Sequence, residues 1–498
     1  MAAVGESDSK QREAVSHEHT EESIQSFVRV LLISVPAFAA DLVVVVDPPN
    51  GTDDTVAIQG ALNQCVAHGA GCTVQLDAGT YLTKQLFAED FHGTFKGKGM
   101  DVTIIQALPN LPVSQDEPVW KNPPSPDNKY PMLILFFGGN ITVSDMTIEA
   151  PATNPTKGWY DYQGHVEPVT WHQEPNTWLW SVLEFMGQSA MNVVVTRVAL
   201  QGAYDESVPG LDNYNAAGLS IDPYPPIDSP APGYVAGMFR VSACRIDTFA
   251  DGIYGAALHD ARLAIGGSPS AANLIQNCGY DALLIDLDSS SVDFSYNDAA
   301  SVGPTTWGAF MVLQRWVVPI AAPSSFLVQH NRIKATGRNE EMPADGIWVA
   351  DCAPWYEEGK TGDFVISHND VTLDASQGMI AGDGIETYQT EGAIVSNNRI
   401  VGRGWTGIAL WGDTGAMVKA NNIENVTAEA ELYPAPLCLM EGTSNCTVVG
   451  FGKKTNVYDE GVNNTLVGVN SVQGNPPGPA IRDAMKRKME MVKSIRRP

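Results

Sequence analysis

The stretch GDGIETYQT (382–390) sets two carboxyls, Asp383 and Glu386, three residues apart, with Tyr388 two residues further on. Carboxyls can move protons or bind hydroxyls, and an aromatic ring can stack on the apolar face of a sugar. Related Asp-Gly-Ile steps stand in ADGIYGA (250–256) and ADGIWVA (344–350), which add Tyr254, Asp345 and Trp348. A step that returns within one chain is either a ligand loop or a structural period. The period therefore has to be settled before the chemistry.

Aligned on Asp251-Gly252-Ile253, further copies follow at Asp281-Ala282-Leu283, Trp307-Gly308-Ala309, Asp345-Gly346-Ile347, Asp383-Gly384-Ile385 and Thr406-Gly407-Ile408. The spacings of 30, 26, 38, 38 and 23 residues rule out helical repeats of fixed length but permit stacked coils with variable loops. A second series runs in phase: VQHNRI (328–333), ISHNDV (366–371), VSNNRI (395–400) and VKANNI (418–423). Each alternates apolar with polar and carries an asparagine ahead of an apolar residue. Asn331, Asn369, Asn398 and Asn422 are thus expected to stack coil on coil, one strand spacing of about 4.8 Å apart, as an internal amide ladder. Short strands, a glycine and an Asn or Asp at each bend make an all-β solenoid, a parallel β-helix.

The segment GTDDTVAIQGALNQC…GCTVQLDAGTYLTKQ…FKGKGMDVTII (51–105) resembles the opening of pectate-lyase-like right-handed β-helix proteins. The resemblance implies a capping helix over 53–69, a Gly-Thr-Tyr strand that begins the first coil, and a β-helix domain spanning 40–475. It also implies work on carbohydrate, for the superfamily holds lyases, glycosidases, epimerases and tailspikes, and fold alone does not choose among them. Independently, Asp53 or Thr52 suits an N-cap, and Val56, Leu62 and Val66 give the helix an apolar face.

If the isoleucines of the motif point inward, the residues one step on point outward. The outward set is Tyr254, Asp286, Asp288, Phe310, Gln314, Trp316, Trp348, Glu386, Tyr388, Trp411 and Asp413. Glu386 and Asp286 are the leading candidate acids, and Asp383 and Asp345 share the inward parity at the bends, where Asp caps turns. Trp348, Tyr388, Trp411, Tyr254, Trp316, Arg315 and Trp171 are the candidate sugar contacts. Two long insertions, 150–180 and 204–237, concentrate aromatics as walls of a cleft. No pair in the outward set meets the carboxyl separation a glycosidase needs, so a second acid is expected from a loop: Asp161, Glu167, Asp205 or Asp222.

A glycoside hydrolase is the first expectation, because the groove is acidic and aromatic. A lyase or epimerase on uronic polymers is the alternative; it needs a base and positive charge or Ca²⁺, and Arg315 is the nearest basic residue. A non-catalytic glycan-binding module is the third. The formal charge of −27 weighs against nucleic acid and anionic membranes as partners. The same carboxylates could hold Ca²⁺, although solubility alone accounts for them; no other cofactor is expected, and His165 and His172 lack zinc-ligand spacing. FVRVLLISVPAFAADL (27–42) reads as a signal-like segment too short to span a membrane, so residues 1–39 are set aside as a leader and the protein is expected to be secreted or periplasmic. Self-association is compatible with the sequence. Cys65 with Cys72 and Cys438 with Cys446 are spaced to staple local turns. Residues 476–498 are expected to form a basic tail.

Overall fold

The computed structural model describes residues 41–108, 132–150, 181–187, 190–204, 217–223, 233–279, 281–288, 290–301, 308–314, 324–337, 345–351, 363–376, 381–426, 435–450 and 455–472, with positions 479, 482, 483 and 486. Apart from one α-helix, Thr55–His68, and a short 3-10 turn at Pro269–Ala271, the described elements are strands. Each strand pairs in parallel with the strand one coil on: Ile253 lies beside Leu283, Leu283 beside Phe310, Phe310 beside Ile347, Ile347 beside Ile385, and Ile385 beside Ile408. Ile253, Leu283, Ile347, Ile385 and Ile408 are all 0% exposed and line one continuous core. The chain is a right-handed parallel β-helix. The recurring Asp-Gly-Ile step is thus first of all a coil period. In the third copy the register falls on Phe310 rather than Ala309, with Gly308 beside Asp345, so Phe310 takes the register position of Ile347 and not the one expected of the outward set.

A second column of strands carries the asparagines. The Asn273 side-chain amide donates to Asn297 Oδ1 at 2.8 Å, Asn297 to Asn331 at 3.1 Å, and Asn331 to Asn369, Asn369 to Asn398 and Asn398 to Asn421 at 3.0 Å each. Each Oδ1 also takes a backbone N–H from the preceding coil, as Asn369 does from Asn331 at 3.1 Å. The ladder position lies two residues before the apolar one, not directly before it. In VKANNI that selects Asn421, and Asn422 is exposed on the surface. The residue ahead of each later ladder member turns left-handed (Tyr296, His330, His368, Asn397 and Ala420, φ 56–62°), which swings the amide inward.

The helix covers the N-terminal end. Ile58, Ala61, Leu62 and Cys65 are buried, whereas Val56 is 84% exposed and takes no part in the apolar face. Asp54 ties the helix to the first coil by accepting Asn50 N (2.8 Å) on one oxygen and Leu82 N (3.0 Å) on the other. Asp53 holds the Thr55 amide at 3.0 Å. A disulfide joins Cys65, near the end of the helix, to Cys72, which opens the next strand. Cys438 and Cys446 are not joined; both thiols are buried, Cys438 in the register of Ala409 and Tyr458 and Cys446 against the Asp413 carbonyl. At the other end, the C-terminal segment is not simply a solvated tail: Arg482 donates to Glu441 at 2.9 Å and to Glu460 at 2.7 Å. The insertion at 204–237 contains a coil strand, Ala217–Pro223, whose apolar alternation AGLSIDP fits it to the wall beside Ser181–Gly187. Residues 1–39, Trp171 and the rest of 151–180, Arg315 and Trp316 lie outside the described residues.

Removing a ladder amide strips several buried partners at once, at roughly 1–3 kcal/mol for each group left unsatisfied. Asn369→Ala is expected to lower the urea midpoint of unfolding strongly, while Asn422→Ala leaves it nearly unchanged. Equal effects from the two would contradict the ladder assignment.

Candidate functional site

Successive residues on a strand face opposite sides, so Trp348, between inward Ile347 and Val349, belongs to the outer face of its coil. Its neighbour one coil on is Glu386, whose own neighbours Ile385 and Thr387 lie in the inward columns. The outward parity of these two side chains therefore stands. Their exposure does not: Trp348 and Glu386 are 0% exposed and Trp411 is 7% exposed. The outer wall of these coils is packed over, so parity alone did not decide contact with solvent. Tyr388, two residues beyond Glu386 on the same face, is half-buried and marks the more open side.

Asp345, the first residue of strand Asp345–Asp351, and Asp383, two residues ahead of strand Ile385–Tyr388, enter the same place. The Asp383 amide donates to Asp345 Oδ1 at 2.7 Å, which ties one coil to the next and makes Asp345 structural in part. The two acids also converge with Glu386: one carboxylate oxygen from each lies within 4.8 Å of the others, and all three residues are fully buried. Two like charges about 4 Å apart repel by about 4 kcal/mol at an effective dielectric constant of 20. A proton or a cation within the cluster relieves that repulsion. Opposed ligands on a Ca²⁺ ion, each 2.3–2.6 Å from it, sit about 4.6–5.2 Å apart, so the oxygens fit one coordination sphere. They supply three of the six to eight ligands Ca²⁺ takes, and one of those carboxylates is already engaged by an amide.

The other candidates are not brought to this cluster. Asp286 is in register with Leu313, Leu313 with Ala350, and Ala350 with Tyr388, three coils of about 4.8 Å each. Tyr254, half-buried, adjoins Leu284 and Ser220, four coils from Glu386 along the column through Met311 and Trp348. Asp413, expected on the outer face, is instead buried, accepting the Thr390 amide at 2.8 Å, the Thr387 hydroxyl at 3.1 Å and the Thr390 hydroxyl. Burial pushes its carboxyl up to about 7, against the pull of the Thr390 and Thr387 donors.

A second acidic pair was only half anticipated. Asp222 is one of the four loop acids named above, whereas Glu184 sits inside the apolar run SVLEFMG and carries no motif. Glu184 is 0% exposed, on the outer side of its strand in register with Ser220, and meets the Asp222 carboxyl. An acid at an outward position of an otherwise apolar strand was the available signal.

No protein-family model and no curated protein matches the chain by sequence. Among solved structures it is similar to the Dettilon tailspike protein, with a TM-score of 0.53 and 10% identity over 84% of this chain and 68% of that one. It is more distantly similar to the A-module of the Azotobacter vinelandii mannuronan C-5 epimerase AlgE4 (TM-score 0.42, 14% identity, 86% and 96% covered) and to the periplasmic alginate epimerase AlgG (TM-score 0.41, 12% identity, 80% and 84% covered). The tailspike likeness supports the β-helix fold and goes no further.

Because the folded-state value of Asp413 lies above the ordinary 3.8, the folded protein holds this proton more tightly. The contribution is fully present below about pH 4 and is lost as pH rises through about 7. Asp413→Asn stays neutral, so its melting temperature relative to the parent should rise steadily between those limits. A difference that does not change with pH would refute the assignment.

Proposed function

We propose that the chain is a glycan-cleaving hydrolase working through Glu386, Asp383 and Asp345. The observation that carries this reading is the convergence of three carboxylates from two adjacent coils, with an aromatic, Tyr388, on the open side of the same face. Hydrolysis of a glycosidic bond needs one carboxyl to protonate the leaving oxygen and a second to meet the anomeric carbon or activate water. Glu386 supplies the proton and Asp383 the carboxylate. Asp345, held by the Asp383 amide, aligns Asp383 and keeps negative charge beside the developing positive sugar. A spacing within 4.8 Å is close to the shorter of the two glycosidase separations, the one that gives retention through a glycosyl–enzyme intermediate. An uncharged glycan suits the site, since a chain of net charge −27 with an acidic centre repels polyuronates.

One observation favours a second reading, elimination or epimerisation on a uronic polymer: the same three oxygens fit a single cation, and a Ca²⁺ ion held there would offset a substrate carboxylate. In both readings the protein acts outside the cell.

The test is incubation with neutral and uronic polysaccharides, following new reducing ends and the ultraviolet absorbance of an unsaturated product together, with and without a chelator. Hydrolysis predicts reducing ends alone, insensitive to chelation, and a fall of about 10²–10⁴-fold in Glu386→Gln. Both signals rising, and lost on chelation, would replace hydrolysis by elimination. Binding with neither signal would mean a non-catalytic module.

A further inference from the structure

The N-terminal end of the solenoid carries an open cleft of about 510 Å³, within the roughly 300–1,000 Å³ usual for ligand sites. It is remote from the three converging acids. From Glu386 one column runs through Trp348, Met311, Leu284, Tyr254, Ser220, Glu184 and Leu135 to Phe87, eight coil spacings or roughly 38 Å. Beyond Phe87 the strand Leu86–Lys96 turns left-handed at Asp90, φ 54°, and continues as a different wall. On that wall Phe91 and Phe95 are buried in the core, so His92 and Thr94 face outward into the cleft.

Two rows of side chains line it. In one, Val43, Thr73 and Thr94 are successive register partners about 4.8 Å apart, and Val43 is 56% exposed. The other holds His92 and Asn140, which are also in register. Asn192 donates its side-chain amide to Asn140 Oδ1 at 2.7 Å, and Asn140 donates to His92 Nδ1 at 2.8 Å. An amide nitrogen can only donate, so Nδ1 accepts and the imidazole proton sits on Nε2, which donates to Asp90 Oδ1 at 2.9 Å. Both ring nitrogens are thereby engaged. His92 has no lone pair left for a substrate proton, so the row is built to bind and not to catalyse. Asn140 keeps one amide hydrogen and one carbonyl lone pair for a ligand. Among the described residues, the Thr73 and Thr94 hydroxyls and the Asp41 carboxylate, which also lines the cleft, have no hydrogen-bond partner.

We propose that this cleft binds an uncharged glycan and holds it without cleaving it, as a second point of attachment on the molecule. Two hydroxyls and an amide that each give and accept hydrogen bonds match sugar hydroxyls, which do the same. Val43 offers apolar surface to the C–H face of a ring. The described lining carries no Lys or Arg, and the Asp41 carboxylate, with Asp90 bonded to His92, repels uronates and phosphates. The amide–imidazole relay is set before a ligand arrives, so little side-chain freedom is lost on binding. Cys72, also in the lining, is tied to the capping helix by its disulfide with Cys65, which holds the cleft in shape.

The inference does not require that Glu386 cleave anything, and it is tested apart from that reading. Cello-, xylo-, manno- and laminarihexaose are titrated into the full chain carrying Glu386→Gln, which keeps the probes intact. Binding is followed at the His92 imidazole by ¹H–¹⁵N spectra, the signal being identified by its loss in His92→Gln. At least one hexasaccharide is expected to move that signal saturably, while hexagalacturonic acid leaves it in place. Thr94→Trp, which fills the cleft, and Asn140→Ala, which breaks the relay, are each expected to weaken that binding about tenfold or more. Circular dichroism checks the fold of both, and either one carries the test if the other fails to fold. A His92 signal that no hexasaccharide moves, an affinity unchanged in the folded cleft variants, or equal binding of the uronate would overturn the proposal.

Discussion

Parallel pairing between successive coils is the constraint from which the rest follows. Every main-chain hydrogen bond of a wall strand goes to the coil before or after it, so side chains of one type recur one above another about 4.8 Å apart. Apolar residues in such a column make a core, and amides make a ladder. Carboxylates in the same arrangement repel unless a backbone N–H, a hydroxyl, a proton or a cation intervenes. Two of the acidic residues described above show two of those answers: a backbone amide at Asp345 and threonine donors at Asp413. Acidic positions that are costly in the stack thereby become positions with chemistry available to them.

The period and the capping segment were legible because they are local: an Asp-Asp-Thr helix start, a Gly-Thr-Tyr strand and a repeated Asp-Gly-Ile step each name a backbone state directly. What blurred was phase. Two adjacent asparagines in VKANNI allow either to join the ladder, and only the left-handed Ala420 decides for Asn421. Irregular loops hid a one-residue slip at Phe310.

Burial was the quantity the sequence withheld. Alternation shows on which side of a strand Trp348 and Glu386 lie, but not that this side is itself covered. Asp345 and Asp383 illustrate a related limit. Their parity marks them as turn acids; Asp345 opens its strand and Asp383 stands just ahead of the next, and the stacking of coil on coil also brings them to Glu386. Structural and chemical roles are not alternatives when one carboxylate has two oxygens.

The two ends of the stack are not equivalent. A helix, a disulfide and the doubly bonded Asp54 lock the first coils, whereas the last described strands, Thr465–Val467 and Asn470–Val472, are largely exposed, and Arg482 pairs with Glu441 and Glu460 just beyond the strands Leu437–Leu439 and Asn456–Asp459. In a solenoid each coil leans only on its neighbours, so loss of order has a direction. Loosening starts at the exposed terminal strands, and the zipper opens toward the N-terminus. The strand edge laid bare in that way is itself a template, ready to pair with the edge of another chain.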